Sequence, residues 1–556
     1  MKKLTAIITV ILFIPFFGQA QEALKSIEEE YYDFLSLQGL VERPTLGYRT
    51  LSDSVWELDE ETDHIWAENN LGSTKIIWKD STPADNWFAN GLFQGFKYKI
   101  FGPEWFNSYN TAAPYGQNDG ALWQGRGYNT SLTTGARLES YGFEVTFKPQ
   151  ISWMENKGFE TNPGVYPNPY SYSFHSGTVH QDIDIVQRYG DSSLFNFDWG
   201  DSEIRWTWHS LTFGFGTQNP WLGPAYLNPM LGSNNAAGYP KFDAGIRETK
   251  VVIPYFDLNV GTIEGRIWLG QLTESNYFDN NESNNKRMLT AMSASYKPSF
   301  IPGFTFGLNR IFLTYWRNEN FKYILRLFTD SHSNGTLTNN DEDQKASLFA
   351  EWAFPKNNFI VYFEYGFDDF SGHKKANPFH TGIYTVGIKQ IIPLPNNLTS
   401  IVNFEWNNFE MSQDFQLQWI YLGYYAHHFV TQGYTQRGEL LGAGTGSLGN
   451  SQFLQYKVLY PKGYTSITFH RFCPNNNSVL SQSVYTSSDA TDGNIYNKWY
   501  GNFETFFCYG IDSCFFINNS FNVSLAFDYI QILNHNYIKG NNINNFNIRC
   551  TLKYSL

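Results

Sequence analysis

Three glycine-rich segments of this chain combine aromatic rings, amides and paired charges, the groups that recognise sugars. They span residues 114–127, 219–236 and 427–444. A sugar ring presents apolar C–H faces to aromatic side chains and hydroxyls to amides, carboxylates and guanidinium groups. The sequence therefore predicts a polysaccharide-binding surface, with the candidate residues Asn118, Asp119, Trp123, Arg126, Asn234, Asn235, Gln432, Tyr434 and Arg437.

The aromatic and amide candidates would divide the recognition of a sugar between them. Trp123 and Tyr434 would offer ring faces to C–H groups, while Asn118 and Asp119 would bind hydroxyls. These positions lie about three hundred residues apart in the chain, and a closed barrel could bring them to one surface because its non-adjacent strands face a common lumen. The pattern of the residues between these segments indicates which fold this is.

The two arginines, Arg126 and Arg437, would meet uronate or pyruvate carboxylates of an acidic polymer. The formal net charge of the chain is −13, so its overall field repels polyanions and makes local arginines more necessary. The same charge argues against nucleic acid as a partner. The alternative is structural: glycines let these loops fold tightly inside a protein, and the arginines pair with inner carboxylates.

Residues 546–556 alternate between apolar and polar side chains without a break. Such alternation predicts a strand with one apolar and one polar face. At the end of an exported chain it is typical of an outer-membrane barrel, with lipid outside and a polar lumen inside. The alternative is an edge strand of a secreted β-sandwich.

Similar alternation recurs throughout residues 76–556, for example at 143–147, 204–208, 359–367, 402–406 and 523–529. Aromatic residues make up 18% of the chain and charged residues only 16%, against a usual charged share of about 25%. Aromatic girdles and a polar lumen produce this composition in a barrel. At ~24–30 residues per strand and connection, the segment predicts an all-β transmembrane barrel of roughly 16–20 antiparallel strands.

The N-terminus differs from the rest of the chain. Two lysines, an apolar run over residues 4–17 and small residues after it predict a secretory signal peptide cleaved after Ala20. Capping boxes at Ser26 and Ser54 then predict two short amphipathic helices with an acidic outer face. We therefore expect a small periplasmic helical subdomain over residues 21–75 that helps to close the barrel over residues 76–556.

The four cysteines lie at positions 473, 508, 514 and 550. Residues 509–513 predict a turn, which would place Cys508 and Cys514 on paired strands within reach of a disulfide. Exported proteins fold in a compartment that permits such bonds. The pairing of Cys473 and Cys550 stays open.

Signatures of enzymes and cofactor sites are missing from the sequence. It contains no GxSxG, HExxH or phosphate-loop motif, and no Cys/His spacing typical of a metal site. We therefore expect neither catalysis nor a cofactor. Two alternatives to a polysaccharide-binding protein remain, namely a passive channel or sugar porin, and an outer-membrane hydrolase of polysaccharide or lipid.

The candidate segments resemble the Wzi family of capsule-assembly outer-membrane proteins. The resemblance rests on residues 118–127, 233–236 and 432–438, and on the pattern around residues 349–355. It implies a barrel of roughly 18 strands with helices at the periplasmic mouth. It also implies a surface lectin that holds capsular polysaccharide or exopolysaccharide, embedded in outer-membrane lipid, with the polysaccharide-export machinery as a further partner. Long Asn-rich insertions and the cysteine-bearing C-terminal third depart from the family pattern and leave the polymer unidentified.

Overall fold

The computed structural model describes residues 19–21, 26–58, 62–69, 71, 73–80, 86–162, 183–279, 281–317, 324, 327–328, 342–368, 382–410, 423–427, 429–476 and 502–555. The predicted signal peptide up to residue 18 and most of the Asn-rich segment 329–343 lie outside these residues. The helices are α1 (Ile27–Leu37) and α2 (Trp87–Asn90), with short 3-10 turns at Pro355–Asn357 and His535–Tyr537. The strands are β1 (Gln19–Gln21), β2 (Tyr48–Arg49), β3 (Val55–Glu57), β4 (Ser73–Lys79), β5 (Gly95–Asn110), β6 (Gly127–Ser140), β7 (Phe143–Phe147), β8 (Gln150–Met154), β9 (Leu194–Asp198), β10 (Glu203–Trp208), β11 (Leu211–Gly216), β12 (Trp221–Leu222), β13 (Lys241–Ile253), β14 (Leu258–Thr273), β15 (Lys286–Pro298), β16 (Phe304–Tyr315), β17 (Glu342–Phe354), β18 (Phe359–Asp368), β19 (Gly382–Leu394), β20 (Leu398–Asn408), β21 (Thr435–Gln436), β22 (Glu439–Leu440), β23 (Asn450–Tyr460), β24 (Gly463–Cys473), β25 (Thr505–Asn518), β26 (Phe521–Leu533) and β27 (Ile543–Tyr554).

Sequential antiparallel pairing from β5 to β27 builds one sheet, and the pairing of β27 with β5 closes it. β6 pairs with both β7 and β8, so these two form one bent strand, as do β9 and β10. Counted in this way, the described residues form a closed antiparallel barrel of 18 strands. Closure leaves no open edge, and the predicted barrel is confirmed.

The strands alternate between an apolar outer face and a polar inner face. On β27, Phe546 and Ile548 are exposed outside while Asn545 and Asn547 are buried inside. The same pattern recurs on β25, where Tyr509 points outward. An apolar belt around a polar interior is the arrangement that lipid requires of a barrel.

The two ends of the barrel differ in the lengths of their connections. One end carries tight turns such as residues 209–210, 461–462 and 519–520, and we call it the short-turn rim. The other end carries connections such as residues 111–126, 217–240 and 409–449, and we call it the long-loop rim. In outer-membrane barrels the short turns face the periplasm and the long loops face outward.

The first predicted helix is confirmed and the second is wrong. Ser26 Oγ accepts a hydrogen bond from Glu29 N (3.1 Å) at the start of α1, whereas Val55–Glu57 forms strand β3. Trp56 is buried and stacks on Tyr32 with ring centroids 5.8 Å apart, so tertiary packing overrides the local capping signal. No helix of the described residues is long and apolar enough to cross a membrane.

The predicted acidic outer face of α1 is also wrong, because three of its four acids face the barrel wall. Glu28 forms an ion pair with Lys553 (2.6 Å), and Glu30 forms one with Lys457 (2.7 Å). Asp33 contacts both Lys389 and Arg43. Basic side chains of the lumen wall therefore replace water as the partners of these carboxylates.

The N-terminal segment enters the lumen and meets the long loop 217–240 there. β2 pairs with β12, with Trp221 opposite Arg49. One carboxylate oxygen of Glu264 on β14 accepts hydrogen bonds from three consecutive amides, those of residues 46–48. The carboxylate of Glu405 on β20 does the same for residues 226–228. Two wall glutamates therefore satisfy inner backbone groups that would otherwise be unpaired.

A buried ionic network fixes the N-terminal segment to the opposite wall. Asp53 Oδ1 lies 2.9 Å from Arg247 Nε and 3.0 Å from Arg266 Nη2. Arg266 Nη1 in turn lies 2.7 Å from Asp243 Oδ1, and Arg205 contacts the other oxygen of Asp243 at 2.6 Å. Burial alone would raise the pKa of Asp53, but the arginines hold it below its usual range.

The predicted Cys508–Cys514 disulfide is not formed. Both cysteines lie on β25, whose alternation continues through the predicted turn because Tyr509 and Ile511 point outward. Six residues of strand separate them by ~20 Å, well beyond the ~7 Å limit between Cα atoms for a disulfide. All four cysteines are free thiols in the structure.

We therefore expect both cysteines to react as free thiols. Alkylation of denatured, unreduced protein followed by peptide mapping should label Cys508 and Cys514 completely. A disulfide-linked peptide that joins them would contradict the register of β25.

Candidate functional site

The three segments predicted from the sequence meet at the long-loop rim. Gly120 N donates to Asn234 O (2.7 Å), which joins the first segment to the second. Asn235 Nδ2 donates to Leu440 O (3.0 Å), and Ser233 Oγ donates to Gly442 O (2.6 Å), which joins the second to the third. We call the described residues of 114–127, 219–236 and 427–444 the three-segment cluster.

Asn118 lies at the junction of the first two segments. Its φ of 59° is in the left-handed region, which Asn tolerates better than most residues. Its backbone N–H points at Asn235 Oδ1 (3.4 Å), and its Nδ2 donates to Leu227 O (3.1 Å). The residue therefore ties the two segments together.

Asp119 is the titratable candidate of this cluster. Burial raises its pKa to about 6, against the lowering effects of a hydrogen bond from Gln124 and of Arg549. A carboxyl with this pKa carries its proton at mildly acidic pH and loses it at neutral pH.

The Asp119→Asn variant should remove a carboxyl titration with a midpoint near 6. Difference infrared spectroscopy of wild type against variant measures it directly. The folded pKa is raised, so the protonated form stabilises the fold. As pH rises from ~4 to ~6, the free energy of unfolding of wild type should therefore decrease relative to that of Asp119→Asn. Asp257→Asn, in an exposed turn, is the control and should retain the band. Persistence of the band in Asp119→Asn would contradict the assignment.

Trp123 and Arg437 approach each other through Tyr189, which the sequence analysis missed. The rings of Trp123 and Tyr189 meet edge to face at 5.1 Å, and Tyr189 Oη donates to Arg437 O (2.8 Å). Arg437 Nη1 pairs with Asp198 on β9 (2.9 Å), yet the Arg437 side chain remains 45% exposed. Arg437 is therefore an accessible residue of the cluster, and Trp123 is half-buried.

Arg126 has a different environment from the one that the sequence predicted. Its Nε donates to Thr111 O (3.0 Å), and its Nη1 donates to Gly158 O. These bonds to backbone carbonyls hold the loop after β5 against the segment after β8.

Two of the candidates, Gln432 and Tyr434, are buried structural residues, so the direct sugar contact predicted for them is not supported. Tyr434 is 2% exposed; its hydroxyl donates to Leu231 O (2.7 Å), and its ring stacks on Tyr425. Gln432 is fully buried and donates to Glu274. The polar groups at their tips made both resemble surface residues in the sequence.

A cavity of about 580 Å³ lies in the lumen between the cluster and α1, and we call it the lumenal chamber. Of the predicted residues, Asn118, Asp119 and Asn234 line it. Side chains that the sequence analysis did not select, such as His470 on β24 and Asn522 on β26, line it as well. They were missed because inward-facing residues of separate strands have no signal in sequence spacing. In the described part of the chain, no group of His, Cys, Asp and Glu residues has the arrangement of a metal site.

Three solved structures resemble this chain over most of their length. Wzi of Escherichia coli, described as a carbohydrate-binding β-barrel involved in group 1 capsule assembly, matches with a TM-score of 0.54 and 14% identity over 82% of this chain and 84% of that one. OprB of Pseudomonas putida matches with a TM-score of 0.37 and 10% identity over 83% and 94% of the two chains. OccD3 of Pseudomonas aeruginosa matches with a TM-score of 0.39 and 11% identity over 87% of this chain and 95% of that one.

A search of curated proteins gives no match. The family described as capsule assembly protein Wzi matches this chain over residues 108–464. That range holds the whole three-segment cluster and most barrel strands, and it confirms the resemblance seen in the sequence. The chain belongs to the Wzi family of capsule assembly proteins.

Proposed function

We propose that this protein is an outer-membrane lectin that binds capsular polysaccharide or exopolysaccharide and holds it at the cell surface during capsule assembly. The observation that carries the proposal is the convergence of Trp123 and Arg437 at the long-loop rim, where Arg437 is 45% exposed. Tyr189 links the Trp123 ring to the backbone of Arg437, and a ring and an exposed guanidinium group on the same rim suit a sugar polymer. The E. coli Wzi barrel, described as carbohydrate-binding, supports this assignment by fold.

Outer-membrane lipid and the export machinery are the further partners that we propose. The apolar belt suits lipid, and the short-turn rim with α1 is the end that would face periplasmic export components. We propose no catalysis and no cofactor: the cluster contacts described above are hydrogen bonds, ring packing and the Arg437–Asp198 ion pair.

The Trp123→Ala and Arg437→Ala variants test the proposal. Each should release polymer from the cells, with the ratio of free to cell-bound polymer rising about tenfold, which corresponds to a loss of ~1.4 kcal/mol in binding. Heat-modifiable mobility in gels reports whether the barrel is folded. The control is Trp199→Ala, which removes an exposed ring of the outer belt and should retain polymer.

Retention of polymer by both cluster variants at the wild-type level would reject the three-segment cluster as the lectin surface. The channel alternative makes a different prediction. A porin would conduct ions through the unmodified barrel, whereas the inner segments paired through β2 and β12 should keep this protein closed.

A further inference from the structure

One sector of the short-turn rim carries most of the strongly exposed aromatic side chains. Four of the five most exposed large apolar side chains in the described part of the chain lie there, namely Tyr255 (89%), Phe300 (75%), Phe256 (70%) and Trp87 (69%). Phe88, beside Trp87 in α2, is 54% exposed. We call these five residues the aromatic foot. An apolar patch of this kind on a folded protein marks an interaction surface.

The aromatic foot lies on neighbouring turns and does not encircle the barrel. The strands from β10 to β16 follow one another in the sheet, so the turns at 254–257 and 299–303 are adjacent to the turn at 209–210. The turns of the other sector consist of Pro, Asn, Lys and Ser and lie at residues 355–358, 395–397, 461–462 and 519–520. An aromatic girdle of a barrel follows the whole membrane interface. The aromatic foot is therefore an addition to such a girdle, confined to one side.

The helix α2 lies on the membrane side of the barrel wall. β10 buries Arg205 inside and exposes Ile204 outside, so Trp208 at the end of β10 belongs to the outer face. Trp208 Nε1 donates to Phe88 O (3.0 Å), and the Trp208 ring meets the Trp87 ring edge to face at 4.6 Å. These contacts fix α2 where lipid covers the wall of an outer-membrane barrel.

The β13–β14 hairpin projects beyond the strands on both sides of it. The pairing of β13 with β11 ends at Ile246, and the pairing of β14 with β15 ends at Gly261. Ile253 and Leu258 pair with each other across the projecting part, and both are exposed. Two aromatic residues of the foot form the tip between them. The apolar surface of the hairpin therefore extends past the rim.

Lipid is the partner that fits this position and this chemistry. Trp and Tyr concentrate at the headgroup level of membranes, and apolar faces of interfacial segments bury ~5–10 Å into the boundary between headgroups and acyl chains. The foot is also continuous with the apolar belt, because Phe213 on β11 and Phe306 on β16 are exposed on the outer face of the same sector. A soluble periplasmic protein that covered α2 would have to displace lipid from the wall.

We propose that the aromatic foot inserts into the headgroup boundary of the periplasmic leaflet and anchors this sector of the barrel to phospholipid. Trp87 and Phe88 bind lipid from the side of the wall, and the tip of the β13–β14 hairpin binds it below the rim. The anchor adds a lipid-binding surface to the proposed function and does not depend on polymer binding, since the three-segment cluster lies at the opposite rim.

Fluorine NMR of the full-length protein, labelled with fluorotryptophan in phospholipid nanodiscs that hold one barrel each, tests the anchor. The resonance lost in Trp87→Tyr identifies Trp87, and Tyr255→Trp adds a resonance at the hairpin tip. A phospholipid with a nitroxide near its headgroup should increase the linewidth of both resonances severalfold, whereas a soluble gadolinium chelate should leave them sharp. The matched control is Lys356→Trp, in an exposed polar turn of the other sector. Its resonance should be broadened by gadolinium and not by the lipid nitroxide.

Three results would overturn the anchor. Broadening of the foot resonances by gadolinium alone would place the foot in water. Resistance to both agents would show that protein covers it. Broadening of the Lys356→Trp resonance by the lipid nitroxide would reduce the foot to part of a girdle around the whole rim. Heat-modifiable mobility confirms folding of each variant, and capture of purified capsular polymer by Tyr255→Trp at the wild-type level separates the anchor from the lectin function.

Discussion

Replacing Asp53 with Asn should lower the free energy of unfolding by up to about 3–5 kcal/mol, because Arg247 and Arg266 each lose one of their two carboxylate partners and keep only Glu144 and Asp243. Asp53 is 5% exposed and Arg266 is 2% exposed, so water cannot take over the lost interaction. Asn keeps the shape of the Asp side chain and one acceptor oxygen, so the variant measures mainly the effect of the charge on stability. The measurement is urea unfolding of the barrel in detergent, followed by tryptophan fluorescence.

The control for this variant is Asp257→Asn, in an exposed turn with a φ of 47° that Asn also tolerates. It should change stability by less than ~0.5 kcal/mol. A similarly small effect for Asp53→Asn would show that the network contributes little to holding the N-terminal segment.

The contribution of this network to stability should decrease as the pH falls. The arginines hold the pKa of Asp53 below its usual range despite burial. Its contribution is therefore present above the unfolded pKa of ~3.9 and is lost as pH falls toward the folded value. Acid unfolding of wild type should show this loss, and Asp53→Asn should show less of it.

Neutralising three of the four acids of α1, namely Glu28, Glu30 and Asp33, should open the short-turn rim. In the combined variant Glu28→Gln, Glu30→Gln, Asp33→Asn, the wall lysines 389, 457 and 553 lose the carboxylates that they contact. Each broken pair leaves a partly buried lysine without that carboxylate, which should loosen α1 on the wall although its apolar side chains remain packed. We expect a severalfold rise in single-channel conductance in planar bilayers, with an intact barrel by heat-modifiable mobility.

Glu42→Gln is the matched control for this experiment, since Glu42 is exposed in the same N-terminal segment. The single-channel conductance of the Glu42→Gln variant should equal that of wild type. Hydrogen exchange on α1 provides the decisive readout: if α1 loses protection in the triple variant and conductance does not rise, α1 is not the element that closes the barrel. These two measurements also test the prediction that residues 21–75 form a periplasmic subdomain that helps to close the barrel.

Local patterns predicted the strands well and the N-terminal segment poorly. Phe546 and Ile548 point outward as the alternation of β27 required, because a period of two leaves only two faces. The segments around Trp56 and Cys508 were misassigned for two different reasons. A capping signal at Ser54 was outweighed by packing of Trp56 on Tyr32, and a turn-like composition after Cys508 was outweighed by lipid-facing alternation along β25.

The sequence by itself determined the barrel and its polar lumen and indicated the three segments that we propose bind sugar, since alternation and composition are local properties of the chain. Only the tertiary structure decided which candidates are accessible. Tyr434 became core and Arg437 remained exposed because neighbours from other segments, Leu231 and Asp198, determine their surroundings. The lumenal chamber has the same origin: strands and loops distant in sequence enclose it, and no local pattern records which inner side chains closure brings together.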